Sequence, residues 1–340
     1  MATIYTRSQL VEVIRPTDVI AAMEDAFVAY SRGEAVIPPV GQLDFDNPPG
    51  DCHIKYGYLK GGKTFTVKVA TGFWDNPKLG LPSGNGVVLV FSSQTGELLT
   101  LFQDEGYLTD VRTAAAGAVA AKYLAPQRID CIAVIGAGVQ ARLQLEYLRE
   151  VTSCRRAKLW ARSAHAAQAF DVAGFEIDVC ATAAEAASDA QLVVTTTAAR
   201  EWLIGAEDIA PGTHITALGA DGGGKQELDP QLFAVAKVRA VDSRAQCSLY
   251  GDSAIALAQG LIAMDDLVEL GQVIENPALG RTSALDITIA DLTGVAVQDI
   301  AVAELALNRL IRAGLDEDDT SLARAQPTAH RKSWVSSNTR

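Results

Sequence analysis

The chain has 340 residues, of which 49% are hydrophobic and 21% are charged, and its formal net charge is −12. This length allows two domains with separate cores, and the acidic balance argues against nonspecific binding to nucleic acid or to an anionic membrane. The five cysteines show no C-x-x-C spacing, which favours reduced thiols and predicts no metal site. Neither a signal peptide nor an apolar run of membrane length is visible, so we expect a cytoplasmic protein.

The first part of the chain predicts a helix followed by a largely antiparallel sheet. Thr17 is a candidate cap for a helix that ends near Arg32. The prolines and glycines of residues 35–51 predict an irregular crossing segment. Strands are expected over residues 53–59, 64–71, 86–91 and 98–104, and an alanine-rich helix over residues 109–124.

The pattern of predicted secondary structure changes at about residue 129. Strands expected at 131–135, 158–160, 176–180, 191–196, 214–218 and 238–241 alternate with alanine-rich helical stretches. This alternation predicts an α/β fold with a doubly wound parallel sheet of the Rossmann type. The run at 287–292 is less typical of such a sheet. A helix over 296–313 is expected to return to the first domain, and the polar tail from Gln326 is expected to be mobile.

A glycine-rich turn follows the first of these strands, in the stretch I-A-V-I-G-A-G-V-Q-A of residues 132–141. Gly136 permits a tight turn, Gly138 lets the backbone approach a diphosphate, and Ala141 allows the helix to pack closely on its strand. The N-terminus of the helix presents N–H donors to phosphate. The motif alone also occurs in ordinary turns, but its strand–turn–helix context favours a nicotinamide dinucleotide site.

The end of the second parallel strand bears on the choice between NAD and NADP. An acidic residue that would hold the ribose of NAD is absent there, and Arg162 and Ser163 follow the strand instead. Both could hold a 2′-phosphate, which favours NADP slightly. Alternatively, Arg162 stacks on the adenine and the cofactor is NAD.

Several cations lie in the predicted antiparallel sheet. His53 and Lys55 share one face of a strand because side chains alternate, and Lys63 and Lys68 follow on or near the next strand. These cations either form the floor of a carboxylate-binding site or protect a solvated edge strand against aggregation.

Two further segments carry candidate functional residues. Arg112 and Thr113 lie in the first turns of a predicted helix and could reach an anion, although an arginine there could equally form a surface ion pair. Asp221 lies in a glycine-rich segment directly after a parallel strand, where open α/β sheets bind ligands, so it is placed for proton transfer. A turn without function is the alternative.

Several blocks of residues together resemble the ornithine cyclodeaminase/μ-crystallin family over nearly the whole chain. The blocks are Lys68-Val69, Gly80-Leu81-Pro82, Gly86-Val87-Val88-Leu89, Leu108-Thr109-x-x-Arg112-Thr113-Ala114-Ala115, Gly136-x-Gly138-x-Gln140-Ala141, Gly219-Ala220-Asp221-x-x-Gly224-Lys225-x-Glu227-Leu228 and Gly294-x-Ala296-x-Gln298-Asp299. Their order and joint presence are more specific than any single block.

The resemblance implies a homodimer in which residues 1–125 and 305–340 form a substrate-binding and dimerisation domain of α+β type around a Rossmann domain of residues 126–304. It implies that Lys68 and Arg112 hold the substrate α-carboxylate and that Asp221, with Lys68, is catalytic. Residues implied to contact NAD(H) or NADP(H) are Gly136, Gly138, Val139, Gln140, Arg112, Thr113, Arg162, Ser163 and Thr196. Hydride would move between the nicotinamide and the carbon that bears the substrate nitrogen.

The chain also departs from the pattern of the family. Residues 37–42 lack an arginine that often clamps the substrate carboxylate, and His53 and Lys55 stand where an apolar or acidic residue often faces the substrate. These cations would repel a second ammonium and attract a second carboxylate. We therefore favour a reductase or dehydrogenase of a small dicarboxylic imino or amino acid, with iminosuccinate as the named candidate. The alternatives are a redox-neutral ornithine cyclodeaminase and a non-catalytic protein that binds NADPH and a small ligand.

Overall fold

The computed structural model describes residues 2–314. Residue 1 and residues 315–340 lie outside the described part, as does the predicted tail from Gln326. The described chain contains two β-sheets, one of seven strands and one of eight. Among the described residues, no helix is both long enough and apolar enough to cross a membrane.

The N-terminal sheet is largely antiparallel, as the sequence predicts. Its strands are β1 (Thr3–Thr6), β2 (Ala35–Val36), β3 (Gly41–Asp46), β4 (Pro49–Leu59), β5 (Thr64–Phe73), β6 (Gly84–Ser92) and β7 (Leu98–Gln103). Their order is β1-β7-β6-β5-β4-β2, with β3 paired to β4. Residues 35–51 thus form β2, β3 and the start of β4, so the prediction of an irregular segment is wrong: the prolines lie between strands or, for Pro49, at the first residue of a strand. Strand β1 was not predicted and pairs in parallel with β7.

Four helices share an apolar core with this sheet: α1 (Arg7–Val13), α2 (Pro16–Ser31), α3 (Tyr107–Leu124) and the last helix of the described chain, which is α11 (Ala296–Arg312). Helix α2 begins at Pro16 with Arg15 at the capping position, so the prediction that Thr17 caps it is wrong; proline at the first helical position has no N–H to leave unpaired. Helix α11 packs against α2, β4 and β5. Its return to the first sheet is therefore confirmed.

The second sheet is wholly parallel, which confirms the doubly wound Rossmann prediction. Its strands are β8 (Ile132–Ile135), β9 (Arg156–Trp160), β10 (Glu176–Val179), β11 (Leu192–Thr195), β12 (His214–Ala217), β13 (Val238–Val241), β14 (Leu267–Glu269) and β15 (Thr288–Asp291), in the order β10-β9-β8-β11-β12-β15-β13-β14. The helices between them are α4 (Val139–Leu148), α5 (Ala164–Gln168), α6 (Ala183–Ala187), α7 (Pro230–Val235), α8 (Arg244–Cys247), α9 (Gly251–Ala258) and α10 (Leu270–Glu275). The direction of chain progression reverses between β8 and β11, where such sheets bind ligands.

The view that residues 287–292 fall outside the Rossmann pattern is wrong. Strand β15 is an interior strand of the parallel sheet, between β12 and β13, and all four of its residues are buried. The segment that follows it, residues 292–295, joins this sheet to α11. Because α11 packs on the first sheet, β15 brings the end of the parallel sheet close to β4 and β5.

One apolar core unites α2, α3 and one face of the parallel sheet, and a second core fills the opposite face. Helix α3 contacts α2, α11, β12 and β15, so it joins the helices of the first sheet to the parallel sheet. It therefore carries residues of its first turns, among them Arg112, into the space between them.

Candidate active site

Two lysines face each other on neighbouring strands of the first sheet. Lys55 of β4 pairs in register with Lys68 of β5, and the two residues are only 8% and 2% exposed. Because β4 and β5 are interior strands, the interpretation of these lysines as edge-strand protection is wrong. Lys63 is exposed in the turn before β5 and is not part of this pair.

Helix α11 brings a carboxylate to the lysines. The Oδ1 atom of buried Asp299 accepts a hydrogen bond from Nζ of Lys68 at 2.8 Å, and Nε of Arg112 lies 3.2 Å from the same oxygen. Arg112 is also buried, so the surface ion-pair interpretation is wrong. Sequence reasoning did not assign Asp299 to the site; the available signal was an acidic residue within the apolar stripe of an amphipathic helix.

The segment after β15 completes the contacts of this cluster. Nζ of Lys55 donates to the backbone oxygen of Gly294 at 2.5 Å, and Nη1 of Arg112 donates to Oε1 of Gln298 at 3.0 Å. Gly294 has φ of +80°, and a Cβ there would lie 2.7 Å from Nη1 of Arg112. Glycine is therefore required for this close approach.

We call Lys55, Lys68, Arg112 and Asp299 the cation cluster. Fully ionised, it has two more positive than negative charges, and such an excess in a buried site attracts an anionic ligand. The pKa of Lys68 is lowered to about 7, chiefly by burial and also by Arg112 and Lys55, although Asp299 acts in the opposite direction. Burial disfavours the ionised form of Asp299, but Lys68, Arg112 and Lys55 outweigh this and lower its pKa.

Asp242, directly after β13, holds the segment that contacts the cluster. Its Oδ2 atom accepts hydrogen bonds from the backbone N–H of Gly294 at 2.6 Å and of Val295 at 3.2 Å. The same oxygen accepts from Nε2 of Gln298 at 3.3 Å. Asp242 thus orients the two acceptors that Lys55 and Arg112 use.

Asp221 lies in the loop after β12, where the sequence placed it. Its side chain is 46% exposed, and Oδ1 pairs with Nζ of Lys225 at 2.5 Å. The surrounding cleft desolvates the carboxylate and so raises its pKa, but Lys225, Lys55 and His53 together outweigh this effect and lower the pKa. Asp221 is therefore held in its ionised form and lies within the electrostatic reach of Lys55 and His53.

His53 is half-buried on β4, on the same face of the strand as Lys55. Burial lowers its pKa, Lys55 and Lys225 lower it as well, and Asp51 and Asp221 act in the opposite direction. Around neutral pH the imidazole is thus largely uncharged and can donate or accept a hydrogen bond. His53 therefore lies beside the charged groups of the site but does not add a fourth positive charge.

A buried glutamate fixes the ends of two parallel strands beneath Asp221. The Glu227 carboxylate accepts hydrogen bonds from the hydroxyl of Thr195 at 2.6 Å, from the N–H of Thr197 at 2.5 Å and from the N–H of Gly219 at 2.7 Å. Thr195 ends β11, Thr197 follows that strand, and Gly219 follows β12. The contacts hold together the two loops at the C-terminal edge of the sheet.

The glycine turn has the geometry that the dinucleotide prediction requires. Gly136 adopts φ of +120°, and a Cβ there would lie 2.5 Å from Oγ1 of Thr196. Gly138 precedes α4 and has no heavy atom within 4 Å of a Cβ position, so its backbone is open to a ligand. A cleft of about 530 Å³ beside the turn is lined in part by Ala137, Gly138 and Val139.

The side chains near the turn do not all face the cleft. Nε2 of Gln140 donates to the backbone oxygen of Asp110 at 3.1 Å, and the hydroxyl of Thr113 donates to the backbone oxygen of Thr109 at 2.8 Å within its own helix. Val139 is 62% exposed at the start of α4. A cofactor would therefore meet the backbone N–H groups at this helix start rather than the amide of Gln140.

Arg162 and Ser163 lie at the end of β9, at the position expected for recognition of the cofactor ribose. Arg162 is exposed. The hydroxyl oxygen of Ser163 accepts a hydrogen bond from the N–H of Ala166 at 3.2 Å and caps α5. Within residues 2–314, no group of three or more His, Cys, Asp or Glu side chains is arranged to hold a metal ion.

The fold and the glycine turn agree with the proteins to which this sequence is similar. The model of the ornithine cyclodeaminase/mu-crystallin family matches residues 2–313, and the chain belongs to this family. An uncharacterised cyclodeaminase of Sinorhizobium fredii is 44% identical over 90% of this chain and 95% of its own length. Alanine dehydrogenase of Archaeoglobus fulgidus is 37% identical (89% and 93%), and iminosuccinate reductase of Paracoccus denitrificans is 30% identical (93% and 98%).

Solved structures of related enzymes have the same fold. An archaeal alanine dehydrogenase dimer with bound NAD superposes with a TM-score of 0.85 at 34% identity, over 92% of this chain and 97% of that chain. The Δ1-pyrroline-2-carboxylate reductase of Thermococcus litoralis, in complex with NADH and L-proline, has a TM-score of 0.86 at 31% identity over 92% and 98%. The family thus includes nicotinamide-dependent oxidoreductases of imino and amino acids as well as cyclodeaminases.

Proposed function

We propose that the chain is an NAD(P)-dependent oxidoreductase that interconverts a small dicarboxylic imino acid and the corresponding amino acid, with iminosuccinate and aspartate as the named pair. The observation that carries the proposal is the cation cluster, which has two excess positive charges when it is fully ionised and lies near an ionised Asp221. A substrate with two carboxylates offsets both excess charges. The iminosuccinate reductase among the relatives supports this choice.

Each predicted site residue then has a specific task. Lys68 and Arg112 bind the α-carboxylate, and Lys55 binds the second carboxylate by a charge-assisted hydrogen bond. His53, largely neutral, completes the hydrogen bonds of the second carboxylate from the same strand face.

Asp221 acts at the substrate nitrogen. As a carboxylate it stabilises the protonated imine, whose carbon accepts hydride more readily than that of the neutral imine. In the oxidation, the same carboxylate accepts a proton from the substrate ammonium. The nicotinamide, when bound, supplies or takes up the hydride at the carbon that carries the nitrogen.

The cofactor fits the turn between β8 and α4. Gly136 and Gly138 with the first N–H groups of α4 would hold its diphosphate, as would Arg112 from α3. Thr196 contacts the position of a Cβ on Gly136 and so lies beside this turn. Arg162 would favour NADP if its guanidinium meets a 2′-phosphate, and we propose this preference as the weaker of the cofactor assignments.

Assembly, domain limits and location are also proposals. The dimeric alanine dehydrogenase supports a homodimer, and we place the protein in the cytoplasm. We retain residues 1–125 with 305–340 and residues 126–304 as the two domains. Since α11 is continuous from Ala296 to Arg312, the second limit falls within this helix.

A redox-neutral cyclodeaminase is the second candidate, because one relative is named as such. Such an enzyme binds a diamine, and the distal ammonium would meet Lys55 and the half-buried His53, with Asp51 two residues before His53 on the same face of β4. Close like charges disfavour this substrate. The non-catalytic alternative predicts that ligand binding occurs without turnover.

The test is consumption of NADH and of NADPH with oxaloacetate plus ammonia, pyruvate plus ammonia, Δ1-pyrroline-2-carboxylate and ornithine. We expect the highest kcat/KM for oxaloacetate plus ammonia. Lys55→Met should lower that value about tenfold or more, since a charge-assisted hydrogen bond contributes about 1.5–3 kcal/mol, and should affect pyruvate plus ammonia less. Lys63→Met, at an exposed lysine, is the control. Conversion of ornithine to proline without net change in the cofactor would instead establish the cyclodeaminase.

A further inference from the structure

The loop that carries Asp221 is anchored at its ends, and between them the N–H of Lys225 makes a long backbone hydrogen bond of 3.4 Å to the oxygen of Gly222. The N–H of Gly219 is bound by Glu227, and the N–H of Gln226 donates to the backbone oxygen of Ala199 at 2.8 Å. Between these anchors lie three consecutive glycines, residues 222–224, which resist backbone rotation least of all residues. Side-chain contacts must therefore determine where the carboxylate of Asp221 lies.

Lys225 makes two such contacts. Its Nζ atom pairs with Oδ1 of Asp221 at 2.5 Å, and the same atom lies 6.0 Å from the centroid of the Trp74 ring. Trp74 directly follows β5 in the first sheet, whereas Lys225 belongs to the parallel-sheet side. One ammonium thus joins the proposed catalytic carboxylate to the opposite wall of the cleft.

The Trp74 ring lies at the end of the β4–β5 pair and is 48% exposed. A Cβ on Gly72 would lie 2.9 Å from this ring, and the N–H of Trp74 donates to the backbone oxygen of Pro49 at 3.1 Å. Gly72 pairs with Asp51, which precedes His53 by two residues on the same face of β4. The ring therefore lies on the strand pair that carries the lysines of the cation cluster.

We propose that Lys225, seated on Trp74, is a positioning residue that holds the carboxylate of Asp221 across the cleft from the cation cluster. The proposal rests on the proposed function, in which Asp221 acts at the substrate nitrogen. An indole face attracts an ammonium, so Trp74 holds Lys225 while the other side of the ammonium binds Asp221. Without Lys225, the glycine loop lets Asp221 turn to solvent or toward Lys55.

Three charged or titratable groups act on Asp221, and a fourth lies beside its loop. Lys225 comes from its own loop, Lys55 and His53 come from β4, and Arg200 lies beside Gly224 of the loop. Of these, Lys225 makes the ion pair. Removing its charge should raise the pKa of Asp221 and so move the acidic limb of the pH–rate profile to higher pH.

The experiment compares Lys225→Met, Lys225→Arg, Trp74→Ala and the control Lys158→Met in steady-state turnover. Lys158 is matched to Lys225: it pairs with Asp189 at 2.6 Å, and the side chains of the two lysines are 17% and 18% exposed. We expect Lys225→Met to lower kcat about tenfold or more, since positioned proton transfer contributes about 10²–10⁴-fold, with an unchanged Kd for NADH. Lys225→Arg should retain more activity, Trp74→Ala should lose less than Lys225→Met, and Lys158→Met should match the wild type.

A second readout does not need turnover. The fluorescence of Trp74 is obtained as the difference between the emission of a protein and that of its Trp74→Phe variant. We expect this fluorescence to change in Lys225→Met and to stay unchanged in Lys158→Met. If Lys225→Met keeps the kcat, the acidic limb and the Trp74 emission of the wild type, the inference is overturned. If the wild type turns over none of the substrates, the proposed function fails. The emission of Trp74 alone then shows whether Lys225 contacts the Trp74 ring.

Discussion

Replacement of Asp299 by asparagine tests the electrostatics of the cation cluster. It removes the buried negative charge that Lys68 and Arg112 share. Removing one partner of a buried ion pair costs about 3–5 kcal/mol because the other charge is left uncompensated. The pKa of Lys68 is already about 7, so this lysine can release its proton, whereas Arg112 cannot. We therefore expect the lower end, a loss of about 3 kcal/mol in the free energy of unfolding at neutral pH.

The pH dependence follows from the sign of the shift at Lys68. Its folded pKa of about 7 lies below the ordinary value of 10.5, so between these values the unfolded chain binds more protons. Stability contributed by this group therefore rises with pH in that window. Asp299 opposes the lowering, so Asp299→Asn should move the start of the window to lower pH. Affinity for a dicarboxylate, which needs protonated Lys68, should also be lost at lower pH than in the wild type.

The assay is urea denaturation at several pH values, combined with calorimetric binding of L-aspartate over the same range. Asp18→Asn is the matched control, because Asp18 pairs with Arg309 of the same helix α11 at 2.7 Å but with 26% of its side chain exposed. Exposed pairs contribute about 0–1 kcal/mol, so we expect little loss of stability and no shift in the binding profile. The reasoning is refuted if Asp299→Asn and Asp18→Asn have the same stability and the same pH dependence of binding.

Two further substitutions test the cofactor assignments. Gly136→Ala should weaken NADH binding about tenfold or more, because φ of +120° strains an L residue by about 1–3 kcal/mol and the new methyl meets Thr196 at 2.5 Å. Gly96→Ala, at φ of +75° with no heavy atom within 4 Å, should leave the Kd for NADH unchanged; equal effects of both substitutions would contradict the assignment. Arg162→Ala should lower the affinity for NADPH relative to NADH about tenfold, and an unchanged ratio of the two Kd values would contradict the NADP preference.

The local features of the fold could be predicted because each depends on a short stretch of sequence. The strand, turn and helix around Gly136 follow from apolar periodicity and the conformational freedom of glycine. The alternation that places His53 and Lys55 on one face of a strand holds in the structure. This alternation does not show whether β4 is an edge strand or an interior strand, because strand order depends on pairing with distant segments.

The site residue that was not predicted depends on such distant pairing. Asp299 reaches Lys68 only because β15 enters the parallel sheet between β12 and β13 and directs α11 toward the first sheet. The sequence separation between these two residues is 231, and no periodicity of either segment reports it. Conversely, the family resemblance implied a cofactor contact for Gln140, whereas its amide binds Asp110 of α3.

Residues of the two sheets meet in one site because β15, the last strand of the described chain, lies between β12 and β13 of the parallel sheet. Asp242, after β13, binds the N–H groups that follow β15, and the carbonyl of Gly294 in that segment accepts from Lys55 of the first sheet. The segment that contacts Lys55 and Arg112 therefore follows β15, a strand of the same parallel sheet in which β8 precedes the dinucleotide turn. A shift of β15 along its neighbours would move the acceptor of Lys55 and, through α11, the carboxylate of Asp299 together. We infer that the distance between the proposed substrate charges and the proposed hydride carrier is set by the register of this strand.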